Sequence, residues 1–340
     1  MIGAVAIGEK TTDGETIKNQ MLLRRFEDLY DQVITIDTIR WRKHPLVLLQ
    51  LLWKLLCNRT TPVVISASIS SRWLLDFLYY VPLNKNVNYW VIGGALPQRI
   101  KAGIFKLRSL AKLNSVIVEG KKMAIELQEM GLNNVVHVPN FKPIEYTPTL
   151  KQRALDRIHF VFMSRIHPKK GIYEIVEACK ELNLEGYEQR FDIDFYGAIE
   201  SGFETEFRQL ISACHNTQYK GFLNLTNNDG YETLAKYDTM LFPTYWDNEG
   251  FPGIVIDAYI AGLPIIASDW NLNAELIIEN QTGFIIPPND SRALAQKMKE
   301  MIDGNIDLYT MRCLCAENAR HYDYRNVVTT ELLQKLHIKQ

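Results

Sequence analysis

Short apolar runs alternate along the chain with longer segments in which apolar residues recur on one helical face. In the first 148 residues, six such runs predict strands at 2–7, 33–36, 63–66, 89–92, 116–118 and 135–138. Most of the segments between them are long enough for a helix. This alternation predicts a mainly parallel, doubly wound α/β sheet.

A second α/β series follows a proline-rich break. The segment 139–150, PNFKPIEYTPTL, contains three prolines, which disfavour regular structure and predict a linker. Beyond it, further strands are predicted at 159–164, 191–196, 218–222, 239–243, 264–267 and 283–286, and helices after residue 290. We therefore expect a Rossmann-like domain at 1–145, another at 146–320, and a C-terminal helix at 321–340 that crosses back to the first domain.

Length and composition agree with two globular domains. The 340 residues exceed one ordinary core, and 47% hydrophobic with 23% charged residues excludes long disorder. Five cysteines show no metal-ligand spacing, and the first ten residues lack the basic-then-apolar pattern of a secretory signal. We therefore expect a cytoplasmic protein, peripheral at the inner face of the membrane if it binds lipid.

The net charge of −1 hides an uneven distribution. Residues 1–148 contain 19 Lys/Arg and 12 Asp/Glu, whereas residues 149–340 contain 19 and 27. Residues 38–122 contain 14 basic residues but only two acidic residues, Asp76 and Glu119. This imbalance predicts an electropositive face and an anionic partner for the first domain. No recognised nucleic-acid-binding module accompanies it, so no nucleic acid is expected.

The segment 41–59, WRKHPLVLLQLLWKLLCNR, predicts a leucine-rich helix with basic residues at both ends. Its apolar stretch is shorter than the roughly 20 residues that a membrane span requires. Two interpretations stay open: a helix lying in a membrane interface, and a helix buried against the sheet.

Two polar clusters follow predicted strands of the second domain. In the first, SRIHPKKG, Arg165 and Lys170 lie between a strand and a helix, where they suit a diphosphate. Basic residues in such a loop are also compatible with a solvated surface. In the second, Glu249 precedes a helix start and Asp257 lies about one turn inside it. These carboxylates suit two hydroxyl groups of one ligand, or else a helix cap and a solvated side chain.

SRIHPKKG and PTYWDNEGFPGIVIDAYIAGLPIIASD resemble the nucleotide-sugar site of family 4 retaining glycosyltransferases with the GT-B fold. That family shows Arg-x4-Lys-Gly, then Glu-Gly-Phe with an acidic residue eight positions after the Glu, and a small-Gly-x-Pro turn. Asp257 stands where the family usually has Glu. The resemblance implies an α/β GT-B protein, in which two Rossmann-like domains with parallel sheets face each other across a cleft.

The resemblance also implies the roles of individual residues. Catalytic roles fall to Arg165 and Lys170 on the diphosphate and to Glu249 on the transferred sugar. Donor contacts are expected from residues at the first helix entrance and around the second cluster: Gly14, Gly250, Phe251, Pro252, Gly253, Ile254 and Asp257. No cofactor or metal is expected. Asp192-Ile193-Asp194 matches a metal-binding pattern of other glycosyltransferases, but it is predicted to lie within a strand.

The resemblance leaves the acceptor side open. Gly93, Gly94 and Glu119 follow predicted strands and are candidate acceptor contacts, although Glu119 also suits a helix cap. The family reaction is described as a front-face displacement that needs no protein base. We expect transfer from a nucleotide-sugar donor, with a UDP-sugar as the favoured donor, to a glycan or lipid-linked glycan. A nucleotide-sugar epimerase and a non-catalytic nucleotide-sugar-binding scaffold are the alternatives.

Overall fold

The computed structural model describes residues 1–3, 14–38, 41, 44–152, 156–247 and 249–338. It divides the chain into two compact units. Unit 1 comprises Met1–Pro143 together with Tyr322–Gln340, and unit 2 comprises Ile144–His321. The break between the units lies in the proline-rich segment 139–150.

Unit 1 is built on a six-stranded parallel sheet in the order β2-β1-β3-β4-β5-β6. Its strands are β1 (Ile2–Gly3), β2 (Ile36–Asp37), β3 (Val63–Ala67), β4 (Val87–Val91), β5 (Ser115–Val118) and β6 (Val135–His137). The helices between them are α1 (Gly14–Leu29), α2 (Leu46–Cys57), α3 (Arg72–Tyr80), α4 (Leu96–Lys101), α5 (Leu107–Ala111) and α6 (Lys121–Glu129).

Unit 2 contains a second six-stranded parallel sheet, in the order β12-β11-β10-β7-β8-β9. Its strands are β7 (Ile158–Met163), β8 (Phe191–Tyr196), β9 (Thr217–Gly221), β10 (Thr239–Phe242), β11 (Ile265–Ser268) and β12 (Gly283–Ile286). Its helices are α7 (Ile172–Leu184), α8 (Glu204–Ser212), α9 (Asn228–Leu234), α10 (Gly253–Ile260), α11 (Asn273–Leu276), α12 (Ser291–Ile302) and α13 (Leu308–Ala319).

The chain then returns to unit 1, where residues 322–338 form two short helices, α14 (Tyr324–Val327) and α15 (Thr330–Lys335), in place of one continuous helix. The guanidinium of Arg25 on α1 donates to the backbone oxygen of Val328 at 2.8 Å. These helices therefore pack with α1 on one face of the first sheet.

The alternation of side chains in β3 separates the two layers of unit 1. Val63 and Ile65 point into the core beneath α2 to α6, whereas Val64 belongs to the core shared with α1, α14 and α15. Both faces of the strand are buried, which explains its continuous apolar sequence.

The predicted α/β class is confirmed. A strand lies at or beside each of the twelve predicted positions, although one is displaced and another is described only in part. The predicted strand 33–36 instead covers Ile36–Asp37, because parallel pairing with β1 places Ile36 opposite Ile2. Of the predicted strand 2–7, only the beginning lies within the described residues.

The leucine-rich helix α2 buries one face against the sheet and exposes the other. Leu51 and Leu55 are buried against the sheet, whereas Leu49 and Trp53 are 63% and 67% exposed. Across the described residues, no helix has the length and apolar character needed to cross a membrane.

Candidate functional site

The two polar clusters of unit 2 follow neighbouring strands. The cluster 164–171 comes after β7 and the cluster 243–253 after β10, and these strands pair in parallel. The chain winds outwards from β7 through β8 to one edge and from β10 through β11 to the other. The carboxyl ends of β7 and β10 therefore form the switch point, which is where parallel α/β sheets bind ligands.

A tight turn after β7 positions Lys170. Pro168–Lys170 form one turn of 3-10 helix, and the ring nitrogen Nδ1 of His167 accepts from the Lys169 amide at 3.0 Å. Gly171 follows with φ of 85°, and a Cβ there would lie 2.5 Å from the Pro243 carbonyl oxygen. Glycine at this position therefore allows the turn to pack directly against the loop after β10.

This close approach brings Lys170 to Glu249. Their side chains form an ion pair and are only 11% and 12% exposed. The Thr244 hydroxyl lies 3.3 Å from the same carboxylate oxygen, and the Lys170 ammonium lies 5.9 Å from the Trp246 ring centroid. The structure thus joins the predicted diphosphate-binding cation and the predicted sugar-binding carboxylate in one partly buried cluster.

The end of β11 and the loop that follows it form hydrogen bonds with the loop that carries Glu249. The Trp270 indole donates to the Trp246 carbonyl at 2.8 Å, and the Asn271 amide donates to the Glu249 carbonyl at 2.6 Å. The Ser268 hydroxyl donates to the Thr244 carbonyl. These contacts fix the backbone that carries Glu249.

Helix α10 begins directly after this loop. Pro252 is its N-cap residue, and its side chain makes no capping hydrogen bond. The helix geometry leaves the amides of Gly253 and Ile254 without an intrahelical acceptor, so they suit an anion. Phe251 is buried beside the turn, whereas Gly250 is partly exposed.

Asp257 is buried on α10, and the Tyr231 hydroxyl donates to it at 2.8 Å. Burial raises the pKa of Tyr231, and the neighbouring Asp257 carboxylate raises it further. The alternative interpretations of the two carboxylates are therefore wrong: Glu249 does not cap α10, and Asp257 is not a solvated helix residue.

Arg165 is more open than Lys170. Its side chain is 58% exposed, and its guanidinium lies 3.6 Å from the Glu200 carboxylate. Burial lowers the pKa of the intervening His167, and the charges of Arg165, Lys170 and Lys169 lower it further, against the opposing effect of Glu200. His167 is therefore neutral near pH 7, and Arg165 and Lys170 provide the fixed positive charge.

The remaining predicted contacts belong to unit 1. Gly14 begins α1, and the loop before it lies outside the described residues. Gly93 and Gly94 follow β4 and are partly exposed. Glu119 is buried and forms an ion pair with Lys18 of α1, whereas Gly120 is the N-cap residue of α6. These residues therefore belong to unit 1, whereas the cluster around Glu249 belongs to unit 2.

The Asp-x-Asp sequence lies in β8, as predicted. Asp192 pairs with Arg157, and Asp194 accepts from the Tyr237 hydroxyl at 2.7 Å. Within the described part of the chain, no group of three or more His, Cys, Asp and Glu side chains is placed to hold a metal ion.

Sequence reasoning missed several residues that hold the site. Thr244 stands five positions before Glu249, and only the fold shows that its hydroxyl contacts the carboxylate. Trp270 and Asn271 follow the next strand, and Tyr231 lies on α9. A polar residue directly after a central strand is the only signal that could have identified Thr244.

Residues 151–322 match the family described as Glycosyl transferases group 1. The match covers just over half of the chain, and the chain belongs to this family. The resemblance noted in the sequence is thereby confirmed.

Two bacterial glycosyltransferases are similar to part of the chain. The chain is 25% identical over 208 residues to the amylovoran biosynthesis glycosyltransferase AmsK of Erwinia amylovora, covering 57% of this chain and 49% of AmsK. It is 26% identical over 198 residues to the putative colanic acid biosynthesis glycosyltransferase WcaL of Escherichia coli K12, covering 56% and 48%. The match thus spans about half the length of these relatives.

Solved structures share the fold over nearly the whole chain. Anabaena Alr3699/HepE, solved in complex with UDP, superposes with a TM-score of 0.72 at 14% identity and covers 98% of both chains. The apo lipopolysaccharide outer core galactosyltransferase WaaB gives 0.69 at 14% identity, covering 100% of this chain and 99% of WaaB. The fold is therefore GT-B.

Proposed function

We propose that the chain is a retaining, metal-independent glycosyltransferase that moves a hexose-type sugar from a nucleotide diphosphate to a glycan or lipid-linked glycan acceptor. Cell-surface polysaccharide synthesis is the proposed setting, because AmsK and WcaL are named for such pathways. UDP is the proposed nucleotide, because HepE was solved with UDP and with UDP-glucose.

The pairing of Lys170 with Glu249 carries this proposal. This ion pair lies at the carboxyl ends of central strands. It provides a cation for the diphosphate and a carboxylate for the sugar hydroxyl groups of a nucleotide sugar. When the donor binds, the ammonium turns to the diphosphate, and the carboxylate accepts from sugar hydroxyl groups. The ion pair keeps both side chains ordered before the donor arrives, which reduces the cost of arranging them.

In the proposed reaction, the bond between the sugar C1 and the diphosphate oxygen breaks while a bond from C1 to the acceptor oxygen forms on the same face. The acceptor hydroxyl gives its proton to the departing phosphate. Negative charge develops on the diphosphate, where Lys170, Arg165 and the first amides of α10 stabilise it. These fixed charges make a metal ion unnecessary for neutralising the leaving group.

The test measures binding and transfer with UDP-, GDP-, ADP- and dTDP-sugars, with and without EDTA, by calorimetry and product analysis. We expect one donor to bind in the presence of EDTA. Replacing Lys170 with Met should lower transfer by about 10²–10³-fold, because it removes one fixed charge that faces the leaving group.

Lys169→Met is the matched control, because Lys169 is the neighbouring lysine and also pairs with an acidic side chain, Asp247, at the exposed edge of the loop. It should leave transfer nearly unchanged. Equal losses in the two variants would contradict the proposed role of Lys170.

Glu249→Gln should weaken binding of the nucleotide sugar more than binding of the free nucleotide diphosphate, because the carboxylate is assigned to the sugar. Asp247→Asn, in the same loop, should affect neither. Conversion of the donor sugar without any acceptor would favour the epimerase, and donor binding without turnover across the acceptors tried would favour the scaffold.

A further inference from the structure

The exposed apolar side chains of the described residues concentrate on one part of unit 1. Fourteen large hydrophobic residues are exposed, and nine of them lie between residues 41 and 81. These nine are Trp41, Leu46, Leu49, Trp53, Leu56, Ile69, Trp73, Tyr80 and Val81. A concentration of this kind on a surface marks a site of interaction.

Helix α2 supplies the centre of this region. Leu46, Leu49, Trp53 and Leu56 follow each other at intervals of three or four residues, so they form one stripe along the helix. The opposite face, with Leu51 and Leu55, packs on the sheet. The helix is therefore apolar on both faces, and only the inner face has a partner within the described chain.

The apolar region continues from α2 to α3. The rings of Trp41 and Trp73 lie 6.3 Å apart, which joins the segment before α2 to the first turn of α3. Tyr80 is the last residue of α3 and is 61% exposed. The outward side chains of these two helices are called here the α2–α3 surface.

The charges around the α2–α3 surface are positive. Arg72, Lys101 and Arg108 are exposed on the same helical layer, and the Arg108 guanidinium lies 5.5 Å from the Tyr79 ring centroid. Asp76 is the only acidic residue between positions 44 and 118. Its carboxylate lies 3.0 Å from the Lys106 ammonium, so even this negative charge is offset.

We propose that the α2–α3 surface docks on an anionic lipid bilayer, with the α2 stripe inserted at the level of the headgroups. Leucines and tryptophans on one helical face, bordered by lysine and arginine, have the chemistry of an interfacial helix. The basic border attracts anionic headgroups, and the tryptophan rings suit the boundary between headgroups and acyl chains.

A bilayer fits this surface better than a protein partner does. The stripe is an outward apolar ridge on a helix, and Gln50 and Lys54 are the only polar residues of α2. A fluid lipid surface accommodates such a ridge without a matching groove, and its anionic headgroups complement the basic border. The inference does not depend on the proposed transfer reaction, because it concerns a surface of unit 1 that vesicles test in the absence of donor.

The experiment is flotation of the full chain with vesicles of phosphatidylcholine, with and without phosphatidylglycerol. We expect binding that increases with phosphatidylglycerol and decreases with added salt. The double variant Leu49→Gln/Trp53→Gln should lose roughly tenfold or more in affinity, because it removes the two central apolar contacts. The control Leu184→Gln/Phe222→Gln, which changes exposed apolar residues of unit 2, should bind like the unmodified chain.

A second pair of variants tests the charges. Lys101→Glu/Arg108→Glu should lose roughly tenfold or more in affinity for phosphatidylglycerol vesicles, since each nearby basic residue contributes to the attraction. Lys236→Glu/Arg292→Glu reverses two exposed charges of unit 2 and should bind normally. Thermal melts of all variants identify any loss of vesicle binding that results from unfolding.

The proposal is overturned if the unmodified chain does not float with anionic vesicles, or if the unit 1 variants bind as well as their controls. Sedimentation velocity tests the other occupant, a second copy of the chain. A dimer that Leu49→Gln/Trp53→Gln converts to a monomer would assign the α2–α3 surface to self-association and overturn the membrane assignment.

Discussion

Each unit contains a lysine–glutamate ion pair in which the glutamate follows a strand of the parallel sheet. In unit 2, Lys170 pairs with Glu249, and the side chains are 11% and 12% exposed. In unit 1, Lys18 pairs with Glu119, and both side chains are 5% exposed. The residue types are the same, but the surroundings give the two pairs different uses.

The Lys170–Glu249 pair lies among loops, with the Thr244 hydroxyl and the Trp246 ring beside it. A ligand can take over its charges, because the side chains retain access to solvent. The Lys18–Glu119 pair instead joins helix α1 to the end of β5. Burial lowers the pKa of Lys18 to about 7. We infer that the Lys170–Glu249 pair, which retains access to solvent, serves binding and that the fully buried Lys18–Glu119 pair serves the structure of unit 1.

The largest expected effect comes from breaking the buried pair. Lys18→Met should lower the free energy of unfolding by about 3–5 kcal/mol, because it leaves the Glu119 carboxylate buried without its counter-charge. Chemical denaturation below pH 7, where Lys18 is protonated, measures this change.

The double variant Lys18→Met/Glu119→Gln serves as the control. It removes both charges, so it should recover most of the lost stability. A double variant as unstable as Lys18→Met alone would show that lost packing, and not the unpaired carboxylate, causes the effect.

A second variant tests how the turn before α7 holds the Lys170–Glu249 pair. Gly171→Ala should destabilise the chain by about 3 kcal/mol, because it combines a φ of 85° with a Cβ that would lie 2.5 Å from Pro243. It should also lower donor affinity, since relief of the clash displaces Lys170.

Gly186→Ala separates the two causes. Gly186 has a φ of 89°, but a Cβ there meets no atom within 4 Å. This variant should cost only about 1 kcal/mol and leave donor binding unchanged. If the two alanine variants were equally stable, close packing against Pro243 would not explain the glycine at position 171.

The sequence predicts the positions of Lys170 and Glu249 but not the pairing of Lys18 with Glu119. Strands are predictable because apolar runs must be buried, and the loops that carry Lys170 and Glu249 follow central strands. The partner of Glu119 is not predictable in this way. Lys18 lies 101 positions away on a helix, and its pairing depends on how α1 packs on the sheet. The supporting contacts of Trp270 and Asn271 likewise arise only when the loops after β10 and β11 meet.

A third prediction concerns pH. Lys18 has a pKa of about 7 in the folded chain, against an ordinary value of 10.5. Between pH 7 and 10.5, Lys18 binds more protons in the unfolded chain than in the folded chain. The contribution of Lys18 to the free energy of unfolding therefore rises with pH in this range. The rise should not exceed about 1.4 kcal/mol per pH unit. Denaturation at several pH values should show this rise relative to Lys18→Met/Glu119→Gln; parallel curves for the two proteins would contradict it.

The smallest expected effect concerns Asp257, a buried carboxylate that the family resemblance places among the donor contacts and that we expect to accept from the ribose of the nucleotide. Tyr231→Phe removes the hydroxyl that donates to Asp257 at 2.8 Å. Loss of this hydrogen bond should lower donor affinity by an amount near 1 kcal/mol, or about fivefold, because the carboxylate is no longer held in place. Calorimetry with UDP and 2′-deoxy-UDP should show that the preference for the ribose form decreases.

Tyr237→Phe is the matched control for this change. The Tyr237 hydroxyl donates to Asp194 at 2.7 Å and lies 3.1 Å from the Tyr196 hydroxyl, so the variant removes a tyrosine–aspartate hydrogen bond of unit 2 outside the candidate site. Both variants should lose similar stability, yet only Tyr231→Phe should alter the ribose preference. If both changed it equally, Asp257 would act through the general stability of unit 2, and it would be a structural carboxylate like the buried Glu119 of unit 1.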